Sequence, residues 1–119
     1  MNTPMRSLSC LLGSLLLIGC GAATVPAVRV AAAEAAIRSA RESGATNTPG
    51  AALHLHYAEL AQVEAARLAR AGDGAPAAMQ YRRAEADANL ALALGREAEA
   101  QRNIQGANDA LRTTQNAPR

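Results

Sequence analysis

Three stretches of this chain carry apolar residues at helical spacing, separated by two clusters of loop-forming residues. In the first, residues 27–43, Val30, Ala33, Ile37 and Ala40 recur every three or four positions, the period of one helix face. Glu34, Arg38 and Glu42 stand four apart on a second, charged row, a spacing that pairs opposite charges in water. Gly44 supplies the stop. Thr48 predicts an N-cap with Pro49 at the first helical position. That opens a second helix over 49–71, with Leu53, Tyr57, Leu60, Glu64 and Leu68 as its apolar row.

Gly72-Asp73-Gly74 reads as a turn, because glycines on both sides of Asp release the backbone from helical angles. Pro76 then opens a third helix over 76–113, with Leu90, Leu94, Ile104 and Leu111 along its apolar line. Gly95 and Gly106 each weaken it by about 1 kcal/mol relative to Ala. Arg83 with Asp87, and Glu99 with Arg102, are spaced to pair along it. Residues 114–119 form an expected frayed tail. The fold class is therefore all-α: a small, Ala-rich, antiparallel three-helix arrangement with a long C-terminal helix.

Helix lengths carry the pattern further. At 1.5 Å per residue the second helix spans about 35 Å and the third nearly 60 Å. Short loops make neighbours antiparallel, so the second helix is expected to cover the third only as far as residue 98, with the first helix folding back on the second over the same half. Segment 99–113 must protrude, bend back at Gly95 or Gly106, or pack on another molecule. Its helical stripe Gln101, Ile104, Asn108 and Leu111 is the expected contact surface for a protein partner or a second copy.

Composition sharpens this picture. Of 119 residues 31 are Ala, and there is no Phe, Trp or Lys. Twelve Arg against ten acids leave a net charge of +2, too balanced for the one-signed surface that nucleic acid requires. Only 14 Leu, Ile and Val follow Cys20, so the core is thin and its helices rest on the high helix propensity of alanine.

The N-terminus reads as an address. Residues 1–6 are polar and carry Arg6; residues 8–18 are apolar apart from Ser9, Gly13 and Ser14; Leu17-Ile18-Gly19-Cys20 follows. A charged start, a short apolar run and a small residue before the cut make a secretory signal. Eleven residues do not cross a hydrocarbon core of about 30 Å. Leu17, Ile18, Gly19 and Cys20 resemble the lipobox of bacterial lipoproteins. That resemblance implies cleavage between Gly19 and Cys20, with 1–19 removed as a signal peptide and 20–26 left as lipidated cysteine and tether. It also implies acyl chains on Cys20, and two or more such chains anchor stably where one does not. Cys10 would leave with the signal. Gly21, where Asp would retain the protein in the inner membrane of a two-membrane envelope, implies the periplasmic face of the outer membrane. The alternative is an uncleaved anchor over 8–28, against which Pro26 and the glycines count.

The stretch from His56-Tyr57-Ala58-Glu59-Leu60-Ala61 through Gly72-Asp73, followed by Arg83-Ala84-Glu85-Ala86-Asp87-Ala88-Asn89-Leu90-Ala91-Leu92-Ala93, resembles the bacterial domain of unknown function 4398, found in small lipoproteins. The likeness covers about residues 27–100 and brings no catalytic residue with it.

Candidate chemistry is sparse. His54 and His56 are two apart, on opposite sides of a helix, and do not share a metal. Glu64 falls on the apolar row, with Arg67 as its ready partner. Glu85 with Asp87, and Glu97 with Glu99, are also two apart and diverge, unlike the paired carboxylates of acid–base catalysis. Arg67, Arg70, Arg82 and Arg83 cluster about the Gly72-Asp73-Gly74 turn with Glu64, Asp73, Glu85 and Asp87 among them, a mixed solvated end. No nucleophile arrangement, phosphate loop or metal-ligand spacing is present. The sequence thus points to a non-enzymatic lipoprotein, without cofactor beyond lipid on Cys20 and without metal or small-molecule substrate. It would act by protein binding or as a homo-oligomeric spacer of the envelope.

Overall fold

The computed structural model describes residues 24–116, and they are all-α. Helix α1 spans Ala27–Glu42, a 3-10 turn spans Ala45–Asn47, α2 spans Pro49–Arg70 and α3 spans Gly74–Gln115. No helix among the described residues is long and apolar enough to cross a membrane.

The turns are built from glycine, as the spacing predicts. Gly44, at φ 73°, follows α1, and its N–H donates to the Arg41 carbonyl. The Ser43 hydroxyl donates to the Ala40 carbonyl at 2.8 Å, so two carbonyls that the helix end leaves open are satisfied. After α2, Gly72 takes φ 86°. Its N–H donates to Ala69 and that of Asp73 to Leu68, the paired bonds of a Schellman stop. Helix α3 begins at Gly74 rather than at Pro76; the first-turn N–H groups need no intrahelical acceptor, so Pro76 fits inside that turn.

The core is made of alanine. Among the described residues, twelve of the fifteen buried apolar ones are Ala, and only Ile37, Leu55 and Tyr81 of these fifteen are large. On α3 the buried line is Ala77, Tyr81, Ala84, Ala88, Ala91 and Gly95, spaced four, three, four, three and four, the seam of helices that pack almost in line. It faces Ala51, Leu55, Ala58, Ala61 and Ala65 of α2 and Ala33, Ala36, Ile37 and Ala40 of α1. Seams of single methyl groups let three backbones approach closely, which a Leu seam would prevent.

Two expectations about packing are overturned. The row Leu53, Tyr57 and Leu60 does not face the core: these side chains are 48%, 40% and 53% exposed, and α2 buries its alanine side instead. Leu90 is likewise exposed on α3, although Leu92 and Leu94 pack against the core from its flanks. Helix α1, in turn, folds back chiefly along α3 and touches α2 less. Arg29 reaches Glu85 of α3 at 3.8 Å, Val30 packs against the cluster that holds Tyr81 and Ala84, and Ala45 meets Gly95, so α1 and α3 run parallel with α2 antiparallel to both.

Candidate functional site

The lower half of α3 is clothed by α1 and α2 and its upper half is bare. Every residue from Glu99 to Asn116 is exposed, so this segment protrudes and does not bend back. The helical residues 99–115 extend about 25 Å past the bundle. Gly95, one of the two weak points of the helix, is buried at the bundle's upper edge, where it packs on Ala45. Gly106 lies in the open with no neighbour beside it.

Gln101, Ile104, Asn108 and Leu111 recur at three, four and three residues along the protruding segment. Ile104 is 62% and Leu111 59% exposed. At about 100° per residue these two lie roughly half a turn round the axis from the buried alanine seam. The seam itself runs on through Arg102 and Asp109 and is polar above the bundle, so the apolar pair is a separate feature and no extension of the core. Gln101 donates to Glu97 at 3.2 Å, and Arg112 lies 3.7 Å from Asp109. The Thr113 hydroxyl donates to the Asp109 carbonyl and the Thr114 hydroxyl to that of Leu111, the local back-bonding of threonines within a helix.

At the other end, Val25 of the tether tucks against the cluster of Ala33, Ala61, Ala65, Tyr81 and Ala84. The chain therefore enters the fold beside the start of α3, at the end remote from the protruding segment. Leu17, Ile18, Gly19 and Cys20 lie outside the described residues, as does Cys10.

Several titratable groups fall into ordinary pairs. His54 does not stand alone: its Nδ1 is 3.2 Å from Asp87 Oδ1, across the α2–α3 seam, and its ring meets Tyr57 edge-on at 6.1 Å between centroids. Arg83 approaches the other Asp87 oxygen at 3.7 Å. His56 is exposed. Glu64 is not a buried carboxylate; it takes a forked bond from Arg67, Nε to Oε2 at 2.8 Å and Nη2 to Oε1 at 2.7 Å. The guanidinium bonds hold the Glu64 carboxyl below its ordinary 4.5 and raise Arg67. Of the arginines about the hairpin turn, Arg67 and Arg83 are paired, while Arg70 and Arg82 are exposed. Arg41 bridges α1 to α2 by donating to Glu59 at 2.6 Å. Beside it, Glu34, Arg38 and Gln62 line an open groove over Ile37. No group of three or more His, Cys, Asp and Glu is gathered for a metal among the described residues.

Sequence reasoning missed the outer face of α2. Leu53, Tyr57 and Leu60, joined by Val63 at 67% exposure, are large apolar side chains that lie on the solvent side of that helix. The signal was available in the competing row Ala51, Leu55, Ala58, Ala61 and Ala65, which matches the alanine seam of α3 in spacing.

No protein-family model, curated protein or solved structure matches this chain.

Proposed function

We propose that this protein is a non-enzymatic envelope lipoprotein of a two-membrane bacterium, held by acyl chains on Cys20 at the periplasmic face of the outer membrane. In this reading its helical domain, related to domain of unknown function 4398, presents the free end of α3 to a protein partner through Gln101, Ile104, Asn108 and Leu111. The observation that carries the reading is the bare segment from Glu99 to Asn116 with two large aliphatic side chains in water. A single helix stripe of this kind suits a groove or a second helix. The packing of Val25 on the cluster that holds Ala65, Tyr81 and Ala84 supports it further, because an anchor at Cys20 would lie at the opposite end from the contact stripe. From Tyr81 to Gln115 the helix rises about 50 Å, which carries the stripe well clear of the bilayer.

The test is site-specific photo-crosslinking in cells with the probe at Gln105, followed by mass spectrometry. A single heterologous adduct, lost in the Ile104→Asp/Leu111→Asp variant, is the expected result. Absence of any adduct, or an adduct indifferent to that double change, overturns the contact surface. Palmitate labelling that survives Cys20→Ser would overturn the anchor.

A further inference from the structure

The outer face of α2 is symmetric about Leu60. At three residues on either side stand Tyr57 and Val63, at four His56 and Glu64, and at seven Leu53 and Arg67. Offsets of three, four and seven are the positions that surround a contact point when two helices cross. Leu53, Tyr57, Leu60 and Val63 are 48%, 40%, 53% and 67% exposed, which makes an apolar strip along one face of α2, with His56, Glu64 and Arg67 on its flanks. His56 is exposed on the same side, and Glu64 and Arg67 close the strip with their forked bond.

We infer that this face binds a second copy of the chain, α2 against α2 in antiparallel fashion, with the two-fold axis at Leu60. An isologous contact requires each position to be complementary to the one at the mirrored offset, and this strip meets that condition at every step. Leu60 meets the partner's Leu60 on the axis. Tyr57 covers the partner's Val63. Leu53 lies along the aliphatic stem of the partner's Arg67, whose charged head Glu64 already holds. His56 faces the partner's Glu64, a carboxylate with lone pairs left over after Arg67 and able to accept from an imidazole N–H. A heterologous partner would require no such mirror relation within one helix, and self-pairing does. The inference rests on α2 alone and is independent of the role proposed for α3.

The experiment uses the full chain in membranes of producing cells. Leu60→Cys places a thiol on the axis, where it meets its own copy; Met79→Cys, 65% exposed but off the strip, is the reference. Mild oxidation is expected to give a disulfide dimer from Leu60→Cys and none beyond background from Met79→Cys. In the Leu60→Cys background, His56→Glu puts carboxylates face to face, and Glu64→Arg removes the acceptor and sets a guanidinium donor against the imidazole, so each variant alone loses the dimer. Produced together under different tags, they restore a mixed dimer, since Glu then meets Arg at one contact and Glu64 meets His56 at the other. Retained helicity of each variant by circular dichroism shows that loss is not unfolding. Equal crosslinking of Leu60→Cys and Met79→Cys overturns the inference, as does a charge-reversed pair that fails to restore the mixed dimer. A disulfide from Leu60→Cys to a different protein, with no homodimer, overturns the second copy as occupant.

Discussion

A β-carbon on Gly95 would lie 3.3 Å from the Cα of Ala45 and 3.3 Å from the Ser43 hydroxyl. Here the α1–α2 connection packs on α3 and closes the top of the bundle. Ala45 has no room to retreat: it is fully buried, and its turn is fixed by Asn47 donating to Gly44 and Thr48 to Ala45. Gly95→Ala is therefore expected to destabilise by about 1 kcal/mol net, because overpacking against backbone outweighs the helix-propensity gain of similar size. Thermal unfolding followed by circular dichroism checks this; an unchanged or raised midpoint contradicts the close approach.

Gly106 gives the opposite result. No neighbour stands where its β-carbon would go, and both it and the residues around it are exposed. Gly106→Ala should add about 1 kcal/mol of local helix stability and leave the unfolding midpoint of the bundle where it is, since the protruding segment shares no packing with it. Amide exchange read by NMR is expected to slow over roughly 102–112 alone. Slowing in α1 or α2 would mean that the segment is coupled to the core.

How far the sequence reaches is visible in these two glycines and in α2. The helices and both stops were legible because glycine, proline and Asp act locally on the backbone. The protruding end was legible from unequal helix lengths. The inward face of α2 was not, since apolar periodicity ranks Leu53, Tyr57 and Leu60 above alanine, whereas three close-packed helices select small side chains for the seam and expel the large ones. The partner of α1 was hidden for the same reason: an alanine face fits either neighbour, and the choice is made by tertiary contacts such as Arg29 with Glu85. At the candidate site, the stripe of Gln101, Ile104, Asn108 and Leu111 could be read from spacing, while the self-complementary strip about Leu60 emerged only once α2 was seen to turn it outward.

The alanine core makes a sharp claim about size. Ala58, Ala84 and Ala88 have no exposed surface and sit where α2 and α3 pack against α1. Ala88→Leu is expected to destabilise by about 3 kcal/mol, because three extra carbons have to push two backbones apart. Leu53→Ala on the solvent side should change the stability of the monomer by less than about 0.5 kcal/mol. Urea unfolding of both variants decides between the faces: a larger loss from Leu53→Ala than from Ala88→Leu would reverse the orientation assigned to α2.

Thr48 precedes α2 where a capping side chain is expected, yet it makes no side-chain cap bond. Its hydroxyl is buried without a protein partner, while its carbonyl accepts from the Ala52 N–H at 2.8 Å. Burying a hydroxyl unpaired carries a penalty of about 1–3 kcal/mol, and valine fills the same volume without it and suits the extended backbone at φ −126° and ψ 119°. Thr48→Val should raise the unfolding midpoint. A loss of about 1 kcal/mol, the usual effect of deleting a cap, would show that the hydroxyl serves α2 after all.

The forked bond between Arg67 and Glu64 fixes the sign of one pH effect. Hydrogen bonding from the guanidinium holds the Glu64 carboxyl below 4.5, against a smaller desolvation effect in the other direction. A carboxyl whose folded value is depressed stabilises the fold above the unfolded value and loses that contribution as pH falls through the folded one. The contribution of this pair is thus present at neutral pH, wanes below about 4.5 and is absent in strong acid. It is also small, because both side chains are half-exposed and water screens them. The direct check is carbon-detected NMR titration of the Glu64 carboxyl in the parent chain and in Arg67→Ala. The parent midpoint should lie below that of the variant, which returns to the ordinary carboxylate range. Coincident midpoints would mean that the guanidinium does not hold Glu64 in solution.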